Sequence, residues 1–78
     1  MDRGPGARKQ EYLRRRADRI AFLIVATDYP AVDIRIEVEA LREECEALFP
    51  GSGALFEMIY EARFRRLFSQ FRPPGEAL

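Results

Sequence analysis

The chain has 78 residues, of which 47% are hydrophobic and 33% charged, and its 13 basic residues balance its 13 acidic residues. A chain of this length forms one domain at most, and its apolar content excludes an intrinsically disordered protein. One cysteine excludes an internal disulfide framework, and the absence of histidine removes the commonest catalytic base and metal ligand.

The charged residues are sorted into three blocks. Residues 1–27 carry seven basic and three acidic side chains, residues 28–61 carry two basic and nine acidic, and residues 62–78 carry four basic and one acidic. Blocks of opposite sign neutralise one another within one fold or between two copies, or they leave basic faces for a nucleic acid. The choice among these arrangements is the main functional question that the sequence poses.

Proline and glycine residues mark the ends of the predicted elements. Both ends of the chain contain them, so we expect disordered tails at 1–7 and 73–78 around a single helical domain at 8–72. Two breaks divide this domain into three segments, 8–28, 30–49 and 53–72. The second break is Pro50-Gly51-Ser52-Gly53, and we expect Ser52 to cap the helix that follows.

The first segment predicts a helix. Leu13, Ala17, Ile20 and Ile24 recur every three or four residues, which places them on one helix face. Residues 20–26 are apolar on all sides, so they fit either a central turn of helix or a buried strand. Such a run is far shorter than the roughly 20 residues that span a bilayer. We therefore expect no membrane association and a soluble, cytoplasmic protein without a signal peptide.

The second segment fits two periodicities. Apolar and polar residues alternate along 32–40, as in a half-buried strand. A helical period also runs along 34–49, and this pattern is much longer than a typical strand of about 5–6 residues. Its length favours a helix with Pro30 in the first turn and Asp28 or Tyr29 as the cap.

The third segment carries the clearest helical pattern. Glu61 precedes Arg65 by four residues, the favourable order for a helical ion pair. The three segments together predict an all-α protein, a small three-helix antiparallel bundle joined by short turns. The alternative is an α+β fold with a hairpin at 20–41 followed by two helices. The large apolar residues of the third segment form one stripe: Phe56, Tyr60, Phe64, Leu67 and Phe71.

Catalytic and metal-binding motifs are missing from the sequence. Glu57 and Glu61 lie one helical turn apart and further acids cluster at 43–46, but neither group has the spacing of a cation-binding loop. We expect these carboxylates to form a solvated helix face and Cys45 to be a small buried hydrophobic residue. The sequence therefore predicts no enzyme, no cofactor and no metal site.

The acidic cluster Glu43, Glu44 and Glu46 falls near the negative end of the second helix. Acids are disfavoured there by a few tenths to about 1 kcal/mol each, so we expect a cationic neighbour. The arginine-rich first helix supplies one in an antiparallel bundle, within one chain or across a dimer. Arg65 and Arg72 are then the arginines left for an outside partner.

The surplus of apolar residues predicts a protein–protein interaction module that forms a homodimer or binds another protein. Ile34, Val38, Leu41, Tyr60, Phe64, Phe68 and Phe71 are the residues predicted for the core or the interface. The alternative is a small nucleic-acid-binding regulator, which is not favoured because the chain has no net positive charge. Its phosphate-contacting residues are Arg14, Arg15, Arg16, Arg65 and Arg72.

Overall fold

The computed structural model describes residues 5–76 and residue 78, and three helices account for most of them. Helix α1 is Pro5–Ala26 and helix α2 is Ala31–Leu48. Helix α3 spans 53–71 and consists of three parts, the α-helical turn Gly53–Phe56, the π-helical turn Glu57–Glu61 and the α-helical Ala62–Phe71. The described residues contain no strand, so the all-α prediction is confirmed and the hairpin at 20–41 is not supported.

The helices form a bundle in which α1 is central. Helix α1 packs along α2 and along the Ala62–Phe71 part of α3. The short turns at 27–30 and 49–52 make α2 antiparallel to both neighbours, so α1 and α3 run in the same direction. The core consists of Leu13, Ala17, Ile20, Ile24, Ile34, Val38, Leu41, Cys45, Phe56, Phe64 and Phe68.

The first helix begins earlier than its sequence pattern predicts. It starts at Pro5, a residue type whose fixed φ suits the first helical turn. Residues 5–7 therefore belong to α1 and not to a tail. Residues 1–4 of the predicted N-terminal tail lie outside the described residues.

The C-terminal end of the chain turns back after α3. Gly75 has a φ of 99°, and the Glu76 amide donates to the carbonyl of Pro73 at 3.3 Å. This positive φ favours glycine, which has no Cβ to clash with the backbone. Leu78 packs against the core. Residues 73–76 therefore form a turn within the segment predicted as a C-terminal tail.

Helix α2 begins without a side-chain cap. Pro30 is its N-cap residue, with a φ of −59° and a ψ of 142°, and its carbonyl accepts from the amides of Asp33 and Ile34 at 3.0 Å each. Proline suits a helix start because it has no amide hydrogen that would need a partner there. The prediction that Asp28 or Tyr29 caps this helix is wrong.

The alternation along 32–40 reflects two faces of a helix. Residues two positions apart lie about 200° apart around an α-helix, so alternate residues fall on opposite sides. Ile34 and Val38 are 0% and 6% exposed and face the core. Val32 and Ile36 are 61% and 60% exposed and face away from it. Helix α2 therefore carries one apolar stripe on each side.

The π-helical turn aligns the aromatic residues of α3. Residues eight positions apart in a regular α-helix are about 80° out of line. Phe56 and Phe64 have this spacing, yet both are buried in the core. The wider turn at Glu57–Glu61 takes up part of the offset between them. Phe68 follows one turn later and is also buried.

Candidate functional site

The residues predicted for the core or the interface lie mostly inside a single chain. Ile34, Val38, Leu41, Phe64 and Phe68 are all buried. Tyr60 is partly buried against the same core, whereas Phe71 is 50% exposed at the end of α3. A second chain reaches the buried members of this set only if the bundle opens. An interface on the folded chain therefore requires other side chains.

One exposed apolar surface, which we call the outer stripe, consists of Val32, Ile36 and Ala40. Their spacing of four residues places them in one row along α2, on the side away from the core. Glu39 and Glu43 flank this row and are exposed. Neither carboxylate forms a hydrogen bond or salt bridge with another described residue. The exposed Arg35 lies beside the same row, so the outer stripe is an apolar row whose border is acidic on balance.

A second apolar surface is a groove between α1 and the first half of α3. Helix α1 packs closely along Ala62–Phe71 but not along 53–61, and the gap holds about 410 Å³. Leu55 and Ile59, at 54% and 50% exposed, form its outer wall. The apolar lining also includes Leu13, Phe49, Phe56 and Tyr60.

Cationic side chains of α1 border the groove. Arg14 lines the groove and is exposed, and it forms no hydrogen bond or salt bridge with another of the described residues. The Lys9 ammonium lies 5.9 Å from the centroid of the Phe49 ring, which is part of the groove lining. The border of the groove is therefore positive, opposite in sign to the border of the outer stripe.

Helix α1 neutralises part of the acidic cluster at the end of α2, as predicted. The guanidinium of Arg16 and the hydroxyl of Tyr12 both donate to the Glu44 carboxylate. The hydrogen bond to Tyr12 raises the pKa of Arg16 above its ordinary value, and the charge of Glu44 adds to this rise. Glu46 accepts instead from the Gly51 amide at 2.7 Å, so it closes the turn between α2 and α3.

A charged network joins α2 to the π-helical turn. Glu61 is 7% exposed and accepts hydrogen bonds from Arg42 and, at 3.3 Å, from Arg65. Arg42 also donates to Glu57 at 3.2 Å, and its hydrogen bond to Glu61 raises the pKa of Arg42. The predicted Glu61–Arg65 pair is confirmed, whereas the predicted solvated face is wrong for Glu61. Among the described residues, no group of three or more acids and cysteines is placed to hold a metal ion.

The five arginines predicted to contact phosphate do not share one surface. Arg15, Arg16 and Arg65 each form a salt bridge with a glutamate of the same chain. Arg14 lies at the border of the groove, and the largely buried side chain of Arg72 forms a salt bridge with Glu76 at 3.7 Å. Arg15 and Arg65 remain 75% and 70% exposed beside their glutamates.

Arg72 occupies a structural position that the sequence pattern did not predict. Its side chain is 8% exposed, and its guanidinium donates to the carbonyls of Leu23 and Ile24 at 3.0 Å each. The last four carbonyls of a helix lack partners within the helix, and a cation stabilises this negative end. Arg72 therefore caps α1 from the end of α3. The prediction that Arg72 is left for an outside partner is wrong.

Cys45 is a buried free thiol, as predicted, and it lies beneath the groove. Its Sγ is 3.3 Å from the Oγ of Ser52. Ser52 is the N-cap residue of α3, but its side chain makes no capping hydrogen bond. The hydroxyl donates to the Cys45 carbonyl at 3.4 Å instead. Ser52 therefore ties the turn at 49–52 to the end of α2.

No family model, curated protein or solved structure matches this chain. None of the helices among its described residues is both long and apolar enough to cross a lipid bilayer. The candidate functional surfaces are those that the geometry defines, the outer stripe and the groove.

Proposed function

We propose that this chain is a protein–protein interaction module that associates with further copies of itself and catalyses no reaction. The observation that carries this proposal is the second apolar stripe of α2. One apolar stripe is enough to join a helix to a bundle, and Ile34 and Val38 belong to that inner stripe. The outer stripe adds nothing to the core of one chain. A continuous apolar surface of this kind marks a contact with another molecule.

The exposed apolar side chains favour association when several of them are buried in one contact. Burying one such side chain fully contributes roughly 1.5–3 kcal/mol. A complex with a micromolar dissociation constant requires a net binding free energy of about 8 kcal/mol. This is the free energy that remains after the loss of translational and rotational freedom has been offset. Several side chains must therefore be buried together in one contact. The side chains that are at least half exposed on α2 and the first half of α3 are Val32, Ile36, Leu55, Met58 and Ile59.

The charges favour a second copy of the chain as the partner. The outer stripe has an acidic border and the groove has a basic one, so a single chain presents both signs beside apolar surface. Complementary potentials orient two surfaces and suppress wrong pairings. Association also adds buried surface to a domain whose own core is small. We place the module in the cytoplasm, because Cys45 remains a free thiol.

Sedimentation velocity over a dilution series tests this proposal. We expect the weight-average mass to exceed the 9.0 kDa of one chain at high micromolar concentration and to approach it on dilution. High salt shifts the same curve toward the monomer, because it screens the charges at the contact. A single species of 9.0 kDa at every concentration would refute self-association.

A further inference from the structure

We infer that the outer stripe of one copy binds in the groove of a second copy. This inference rests on the proposed self-association and names the two surfaces that meet. Both surfaces are apolar, and each lies outside the core of its own chain. The outer stripe extends about 12 Å along α2 from Val32 to Ala40, a row of side chains of the kind that a helix inserts into an apolar groove.

The borders of the two surfaces carry opposite charges. Glu39 and Glu43 flank the outer stripe, while Arg14 and Lys9 lie on the α1 side of the groove. Docking α2 of one copy between α1 and α3 of the other places these carboxylates beside these cations. Glu43 and Arg14 form no ion pair among the described residues of their own chain, so the contact supplies each of them with an opposite charge.

Symmetric pairing of like surfaces is disfavoured. Two outer stripes face to face bring Glu39 and Glu43 of both copies together, an excess of acids over the Arg35 side chain beside each stripe. Two grooves face to face leave their walls unfilled and bring both Arg14 side chains to the same border. Like charges at a contact oppose it, whereas the pairing of stripe with groove sets a net acidic border against a basic one.

The stripe and the groove lie toward opposite ends of the molecule. The stripe lies on the first part of α2, and the groove is lined by the first half of α1 and the end of α2. Because α1 and α2 are antiparallel, the start of α2 lies far from the start of α1. A contact between unlike surfaces is heterologous. Each copy therefore binds one neighbour through its stripe and another through its groove.

Two matched single substitutions test this arrangement. Ile36→Glu places a charge in the stripe and leaves the groove intact. Ile59→Glu places a charge in the groove and leaves the stripe intact. Both positions are at least half exposed, so we expect both variants to keep their helical circular dichroism. Each variant alone loses self-association and sediments at 9.0 kDa.

An equimolar mixture of the two variants restores a single contact. The intact groove of Ile36→Glu receives the intact stripe of Ile59→Glu, so the mixture forms a species of two chains and none larger. Phe22→Glu is the control, because Phe22 is 61% exposed and lies on neither surface. We expect the Phe22→Glu variant to associate like the wild type.

Other outcomes of this mixing experiment overturn the inference. Association that survives Ile59→Glu but not Ile36→Glu indicates pairing of two stripes, and the reverse indicates pairing of two grooves. A mixture that stays monomeric also rejects stripe-in-groove binding. In these cases the wild type still associates, so the proposed function stands. A wild type that never associates removes the proposed function itself.

A charge exchange provides a second test on folded protein. Arg14→Glu turns the groove border acidic, and we expect it to weaken self-association at least tenfold. Adding Glu39→Lys and Glu43→Lys to the same chain restores association, because the exchanged charges meet between copies. Failure of this triple variant to associate better than Arg14→Glu alone contradicts the inference.

Discussion

The end of α1 is completed by residues that lie outside that helix. The last turn of α1 has no basic residue. The Thr27 hydroxyl donates to the Leu23 carbonyl at 2.6 Å, and Arg72 donates to the carbonyls of Leu23 and Ile24. The guanidinium of Arg72 also lies 5.3 Å from the centroid of the Phe68 ring. A single arginine therefore joins the C-terminal ends of two parallel helices.

Arg72→Ala tests this capping role. We expect the substitution to lower the free energy of unfolding by about 1–3 kcal/mol, because it removes charge-assisted hydrogen bonds to two buried carbonyls. Urea denaturation at low micromolar concentration measures the change. Arg66→Ala is the matched control, since Arg66 is exposed and forms no hydrogen bond or salt bridge with a described residue. Its effect should stay within about 0.5 kcal/mol, and equal effects for both variants would contradict the cap.

Sequence periodicity predicted the buried residues better than it predicted the buried charges. Ile34, Phe64 and Phe68 follow apolar stripes that the pattern makes visible. The burial of Arg72 and Glu61 depends on which helices pack together and on how they are positioned along the bundle axis. No local sequence pattern contains that information. The one available signal for Arg72 was the lack of a cation in the last turn of α1.

Helix α2 shows how one pattern fits both a strand and a helix with two apolar faces. Strict alternation places every second side chain on one side of a strand, whereas in a helix it places successive members about 200° apart, on two opposite sides. The length of the helical pattern correctly predicted a helix. The alternation itself marked the outer stripe as a second apolar face.

Two isoleucines of α2 separate the inner face from the outer face. Ile34→Glu places a charge at a position that is 0% exposed, so we expect the chain to lose its cooperative thermal transition. Ile36→Glu places the same charge at a position that is 60% exposed, and the melting curve of the monomer should change little. Circular dichroism melts of both variants measure the difference. Equal destabilisation by the two substitutions would mean that the outer stripe is not a free surface.

The groove depends on a local irregularity of α3. Phe56, Tyr60, Phe64 and Phe68 are spaced strictly by four, a spacing that drifts by about 40° per step in a regular helix. This drift was the sequence signal for the π-helical turn at Glu57–Glu61. The divergence of 53–61 from α1, which opens the groove, follows from the packing of whole helices and has no such local signal.

At the scale of the whole molecule, the sorted charges serve two purposes. Some pair within the chain and fix the helices, as Arg16 does with Glu44 between α1 and α2, and Arg63 with Asp18 at 3.5 Å between α3 and α1. Glu43 beside the outer stripe and Arg14 beside the groove make no such pairs among the described residues. We propose that these remaining charges orient one copy of the chain against the next.

The most direct test is a dilution series of two-dimensional amide NMR spectra of the wild-type chain. We expect concentration-dependent shifts along 32–43 of the outer stripe, and around the groove at 9–14 and 55–60, with little change near Phe22. Shifts confined to one of these surfaces, or centred on Phe22 and Phe71, would contradict it. Spectra that do not change from low to high micromolar concentration would show that the apolar surfaces do not bind a second copy.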